Sequence, residues 1–192
     1  MDRHLSWSAY IDTVEALCRR LTRPDFEPEA HVDDLRRLSE TLDLSDPTLV
    51  ARFRALSRDQ RAPYVTDQVV ETPTCGIMLV SFRADGEVGL HDHPDQSGFI
   101  LCCRGHMKVE AYDAVGEAPL RLRLAVRAEA GPGDYVSLTP THGNIHRLEC
   151  TQPTWLIDIF TPPLSEAGRA RVRGYILGPE IAPDECLATM RP

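Results

Sequence analysis

Two of the seven histidines, His91 and His93, are separated by a single residue, Asp92. On an extended chain, residues i and i+2 project to the same face, so this spacing lets two imidazoles meet one metal ion. A third histidine, His146 in Gly143-Asn144-Ile145-His146, follows 146 − 93 = 53 residues later, far enough to come from a different strand of the same barrel. His4 and His31 have neither spacing nor context to promote them. His106 and His142 each adjoin a glycine and are expected in turns or at the surface, with His142 the better placed to approach a pocket. If both flanking histidines point inward, Asp92 points away and becomes a hydrogen-bond partner or a solvated turn residue, and Asp95 is expected to be equally bland. The other residue with chemical promise is Asp158, in Trp155-Leu156-Ile157-Asp158-Ile159-Phe160, because a carboxylate among apolar neighbours is costly unless paired. Its alternative is a strand-end aspartate turned to solvent.

The elements that must position these residues divide in two. Trp7, Ile11, Val14, Cys18 and Leu21 recur at alternating spacings of four and three, the pattern of one helix face. Pro24 to Pro28 ends that helix; a second follows on Val32, Leu35, Leu38 and Leu42, and a third starts where Ser45 or Asp46 caps a turn opened by Pro47. From about residue 62 short β-prone runs alternate with Gly, Pro and Asp, the texture of an all-β sandwich or barrel. Strands are predicted at Cys75 to Phe82, Gly98 to Cys103, Met107 to Tyr112, Leu120 to Val126, Tyr135 to Leu138, Ile145 to Glu149 and Trp155 to Phe160, while His91 to His93 reads as a loop or strand edge. Residues 1–61 are therefore expected as a helical pack on a barrel of residues 62–178, and 179–192 as a loosely ordered tail, in one domain.

The chain has 192 residues, 21 Lys+Arg against 29 Asp+Glu, and a formal charge of −8. That balance argues against broad attraction to nucleic acid or an anionic membrane, although Arg19, Arg20 and Arg23 form a local cluster. The N-terminal stretch holds no long apolar run, so neither a signal-peptide core nor a membrane span is predicted, and a cytoplasmic protein is expected. The six cysteines lack Cys-x-x-Cys spacing and read mostly as reduced core residues; Cys102 and Cys103, adjacent on one strand, should face opposite ways.

Leu90-His91-Asp92-His93-Pro94, Gly105, Tyr112-Asp113, Gly143-Asn144-Ile145-His146 and Asp158-Ile159-Phe160-Thr161-Pro162-Pro163 follow one another in order over roughly residues 64 to 177. This set resembles the cysteamine dioxygenase and plant cysteine oxidase family of cupin thiol dioxygenases. The resemblance implies a mainly β fold, a jelly-roll-like double-stranded β-helix, with His91, His93 and His146 as metal ligands. Many cupins add a glutamate about five residues after the second histidine; Gly98 stands there, which leaves three neutral imidazoles. Ferrous iron is the ion implied, with zinc its chief chemical competitor. Asp158 matches the family's strand acid and would orient a substrate amine or hold an imidazole. Tyr175, in Arg173-Gly174-Tyr175, matches the tyrosine of a Cys-His-Tyr segment and would line the pocket. Arg173 stands where the cysteine is expected and Leu164 where a tyrosine commonly follows the paired prolines, so neither a crosslink nor a tyrosine hydrogen bond carries over at those positions.

The activity implied is iron(II)-dependent oxidation by O2 of a small aminothiol such as cysteamine, or of the N-terminal cysteine of a peptide, to the sulfinic acid. Cysteine itself is less favoured because the Tyr64 to Gln68 region holds no arginine to pair its carboxylate, though Arg83 keeps carboxylated thiols in play. The alternatives are a non-catalytic metal- or ligand-binding cupin acting as a sensor, and a cupin oxygenase or isomerase acting on a non-thiol substrate.

Overall fold

The computed structural model describes residues 4–164 and 166–191. Helices α1 (Trp7–Cys18), α2 (Pro28–Ser39) and α3 (Pro47–Ser57) come first. Their starts follow from capping chemistry. Ser6 accepts from the Ala9 amide, and α2 and α3 each open on a proline, whose missing N–H costs nothing in a first turn. Asp46 is the cap of α3: its Oδ1 accepts from Thr48 and Leu49 N, while Oδ2 accepts from Trp7 N, so one carboxylate joins the starts of two helices.

Eleven strands follow among the described residues, and all pair antiparallel. One sheet contains β1 (Tyr64–Glu71), β2 (Gly76–Phe82), β9 (Thr154–Thr161), β4 (Ser97–Arg104) and β7 (Tyr135–Leu138), in that spatial order. The second runs β10 (Tyr175–Ala182), β11 (Glu185–Met190), β6 (Leu120–Ala130), β5 (Met107–Glu117), β8 (Ile145–Cys150) and β3 (Gly86–His91). A short helix, α4 (Glu166–Arg169), lies between β9 and β10.

The two-residue period of the strands assigns the cores. In β4, Phe99, Leu101 and Cys103 join one apolar cluster, whereas Ile100 and Cys102 join another. The first cluster is shared with Trp7, Tyr10, Val14, Leu35, Leu49 and Phe53, so the helices cover the outer face of the first sheet. The second lies between the sheets, with Met107, Val109 and Leu148 opposite Val80, Phe82 and Leu156. A strand buried on both faces reads as a continuous apolar run, which is why β4 shows no alternation in sequence. Each fully buried Leu or Phe contributes on the order of 2 kcal/mol. Two curled antiparallel sheets around one interior, with helices outside, make the cupin-type barrel.

One expectation changes. The segment from 179, expected as a loose tail, forms a hairpin with Tyr175–Ala182 and pairs with β6 through Glu185↔Arg123 and Cys186↔Leu122. Its turn, Pro183-Asp184, has Asp184 at φ 60°, a conformation aspartate tolerates. Arg121 and Arg123, both largely solvent-exposed, reach the Glu185 carboxylate, whose side chain is 10% exposed. The edge strand Tyr64–Glu71 lacks a strong apolar signal because half its residues face solvent, and His91 to His93, expected as a loop or strand edge, begins at the last residue of the strand Gly86–His91.

Candidate metal centre

Strands β3 and β8 pair so that His91 lies directly across from His146, and the chain then carries His93 back over the same spot. The ring centroids of His91, His93 and His146 are 4.7, 4.8 and 5.0 Å apart, taken pairwise. One ligand atom from each lies within 4.8 Å of the others.

The tautomers follow from the outer partners. His91 Nδ1 lies 2.8 Å from the Gly89 carbonyl and must donate to it. His93 Nδ1 lies 3.3 Å from Gln96 Oε1, and Gln96 Nε2 donates to the Pro162 carbonyl at 3.0 Å, which fixes that amide with its oxygen toward His93. Both Nε2 atoms are thereby left with lone pairs, and these face each other at 3.0 Å. Two facing lone pairs repel unless a proton or a cation lies between them. Burial, followed by the neighbouring imidazoles, holds His93 at a pKa of about 3 and His146 well below the ordinary histidine value; burial also lowers His91. The proton is thus disfavoured, and three neutral imidazoles are the donor set that a divalent transition metal takes. The residues fit a metal ion.

Gly98 excludes a carboxylate ligand from the position where many cupins carry one. A Cβ there would lie 3.0 Å from Leu138 Cγ and 3.2 Å from Phe160 Cε1, closer than ordinary contact.

A family model described as PCO_ADO matches residues 30–177. The chain belongs to this family. PCO_ADO is the family of the cysteamine dioxygenases and plant cysteine oxidases, cupin enzymes of the thiol dioxygenase type. Solved structures similar to this PCO_ADO chain include a conserved protein with a double-stranded β-helix domain from Klebsiella pneumoniae (16% identity, TM-score 0.46, covering 62% of this chain and 90% of that one). An RmlC-like cupin from Shewanella frigidimarina matches at 18% identity and TM-score 0.45, over 57% and 85% of the two chains. KdgF from a Halomonas species matches at 20% identity and TM-score 0.43, over 53% and 80%.

The three histidines of this PCO_ADO member open on a cavity of about 150 Å³ between the sheets. Its other lining residues are mostly apolar: Met78, Val80, Phe82, Val88, Ile100, Leu148, Leu156, Phe160 and Leu164. Tyr64 and Thr66 of β1 are its exposed lining residues, so the cavity opens there. Asp158 lines it too. The alternation of β9 sends Ile157 and Ile159 toward the helices, which turns Leu156, Asp158 and Phe160 inward. Among the described residues, Asp158 Oδ1 is a buried oxygen with no hydrogen-bond partner, and burial pushes this carboxyl up to about 8. Its intermediate exposure is toward the cavity it lines. Leu164, where the family pattern has a tyrosine, adds only apolar surface.

Tyr175 is not brought to this cavity. Its hydroxyl donates to Asp92 Oδ2 at 2.8 Å, on the opposite side of the His91–His93 segment. Of the two alternatives for Asp92, the structure shows the hydrogen-bond partner and not the solvated turn residue: it is 2% exposed and also paired with Arg173. Arg83 is exposed and donates to the Arg61 carbonyl, outside the cavity lining. His142 pairs with Asp113 at 3.2 Å and is largely exposed; Asp95 is exposed against Arg171. His106 lies 3.9 Å from Glu129.

Sequence reasoning missed Gln96 and Asn144, which hold the ligands. Asn144 Oδ1 accepts from His93 N, and its Nδ2 donates to the His93 and Thr139 carbonyls. The position of Asn144 two residues before His146 was the available signal. Also missed was His31, 2% exposed, whose Nε2 lies 3.0 Å from Thr161 Oγ1 at the junction of helices and barrel. No spacing in the sequence marks it.

Proposed function

We propose that this protein is an iron(II)-dependent thiol dioxygenase that converts a small aminothiol such as cysteamine, or the N-terminal cysteine of a peptide, to the sulfinic acid with O2. The observation that carries this reading is the convergence of three neutral imidazoles on a small apolar cavity holding one acid, Asp158, whose Oδ1 has no hydrogen-bond partner. His91, His93 and His146 would hold the metal. When bound, iron(II) supplies the redox-active centre at which both atoms of dioxygen are joined to sulfur.

The remaining work falls to the chain's own residues. Neutral ligands leave the positive charge of the centre uncompensated, so the site favours the thiolate form of an entering thiol. The apolar walls exclude water and leave Asp158 as the counter-charge for a substrate ammonium group. An incoming ammonium group lowers the pKa of Asp158, because an opposite charge close by stabilises the carboxylate, and the carboxyl releases its proton to solvent as the substrate binds. The described lining holds no lysine or arginine, which supports an amine-bearing thiol over a carboxylated one. A cavity of about 150 Å³ suits a two-carbon aminothiol or a single terminal residue, with the rest of a peptide leaving past Tyr64 and Thr66. The six free cysteines support a reducing, cytoplasmic setting. Among the described residues no helix is long and apolar enough to cross a membrane.

The test is oxygen consumption by protein loaded anaerobically with iron(II), offered cysteamine, cysteine, 3-mercaptopropionate and a Cys-initiated peptide in parallel, with sulfinate detected by mass. Sulfinate from cysteamine or the peptide is expected. Absence of oxygen uptake with every thiol while iron is demonstrably bound overturns the reading in favour of a sensor or a non-thiol cupin.

A further inference from the structure

We propose that Asp92 is the anchor of a clamp, made with Arg173 and Tyr175, that sets the spacing of His91 and His93 before a metal arrives. The inference rests on the reading of the three histidines as metal ligands and gives the residues behind them a positioning role.

Asp92 lies between the two ligands, and the alternation of an extended chain turns its side chain to the face opposite theirs. It is 2% exposed there, yet both oxygens are occupied. Oδ1 accepts from Arg173 N at 2.7 Å. Oδ2 accepts from Arg173 Nε at 2.7 Å, from Arg173 Nη2 at 2.7 Å and from the Tyr175 hydroxyl at 2.8 Å. The main chain closes the same link: Asp92 N donates to the Arg173 carbonyl at 3.0 Å, and His91 bridges Gly174. Gly174 in turn accepts from Arg191 N at 2.8 Å, which backs residues 173–175 with the end of the C-terminal hairpin.

This arrangement joins the ligand segment to a strand 81 residues further along the chain. The planar guanidinium and the Arg173 amide fix the carboxylate in both position and orientation, which a point charge would not do. Moving either histidine away from its partner requires pulling a buried carboxylate off four donors. Groups that orient metal ligands in this way commonly change metal affinity when removed. Tyr175 acts here through Asp92, outside the cavity, as a positioning residue.

The experiment measures cobalt(II) affinity by competition with a chelator, and the visible spectrum of the cobalt(II) protein, for the full chain and for Arg173→Ala, Arg173→Lys and Tyr175→Phe. Arg173→Ala is expected to weaken cobalt(II) binding about 10- to 100-fold and to alter the cobalt absorption bands, which report ligand geometry. Arg173→Lys, which keeps the charge but loses the fork, should fall between it and the wild type. If Arg173→Ala fails to fold, judged by melting of the metal-free protein, the other two variants carry the test. Wild-type affinity and an unchanged spectrum in every folded variant would overturn the clamp. A wild-type protein that binds no cobalt(II) overturns both the clamp and the metal reading. Weakened variants alongside an iron protein inert to thiols leave the clamp standing and overturn only the proposed oxidation.

Discussion

Replacing Asp158 by asparagine removes one ionisable group and little volume, and its effect on stability has a calculable pH dependence in the metal-free protein. Burial raises the folded-state pKa of this carboxyl from 3.8 to about 8. Between those values the unfolded chain carries the ionised form and the folded chain the protonated one, so the folded state binds more protons and loses stability as pH rises. The three histidines act in the other direction. Their folded pKa values are depressed, so the stability they allow is present above about pH 6.5 and is lost as pH falls toward the folded values. Other groups also contribute slopes, and the difference between the wild type and Asp158→Asn removes them and isolates that of Asp158. With the group half-ionised near pH 8, the variant should gain roughly 1–2 kcal/mol on the wild type between pH 6.5 and 8. Urea unfolding of both metal-free proteins across pH 5 to 9 measures it. A stability difference that stays constant over that range would mean that Asp158 is already ionised in the fold, and would refute a buried carboxyl held protonated at neutral pH.

His146→Ala should weaken divalent-metal binding by more than about 100-fold, since even groups that merely orient ligands are worth 10- to 100-fold; wild-type retention of iron after gel filtration would remove His146 from the ligand set. Glu185→Ala leaves Arg121 and Arg123 without their shared carboxylate, and both guanidinium groups are exposed enough to be rehydrated, so the cost should be only about 1 kcal/mol. The loss should concentrate in β10 and β11, where hydrogen exchange of their amides should quicken while β4 and β9 stay protected. Equal quickening throughout would mean that the hairpin opens only with global unfolding.

Local chemistry determined much of this protein. Ser6, Pro28, Asp46 and Pro47 place helix starts without help from the rest of the fold, because caps and fixed φ angles act over three or four residues. The His91-Asp92-His93 spacing needs only an extended chain to put two imidazoles on one side, and the ordered motifs through Thr161-Pro162-Pro163 place the chain in its family. Continuous apolar runs announced β4 and β9, although nothing local says which of their residues face the helices and which the cavity. The register of β9 between β2 and β4 decides that Asp158 faces inward.

The tertiary structure alone decided the rest, because the interactions concerned join residues far apart in sequence. The C-terminal hairpin has weak apolar patterning of its own, and its order comes from β6, from Glu185 beneath two arginines and from Ala188 in a shared core. Tyr175 looks from its sequence position like a pocket residue, yet the segment from Arg173 to Tyr175 passes behind the ligand loop, where the buried Asp92 carboxylate needs donors. An unpaired buried charge costs more than either side chain could recover in the cavity, and the chain satisfies it with the nearest cation and hydroxyl. His31 was invisible for the same reason: its partner, Thr161, is 130 residues away, and only the packing of helix on sheet brings them together.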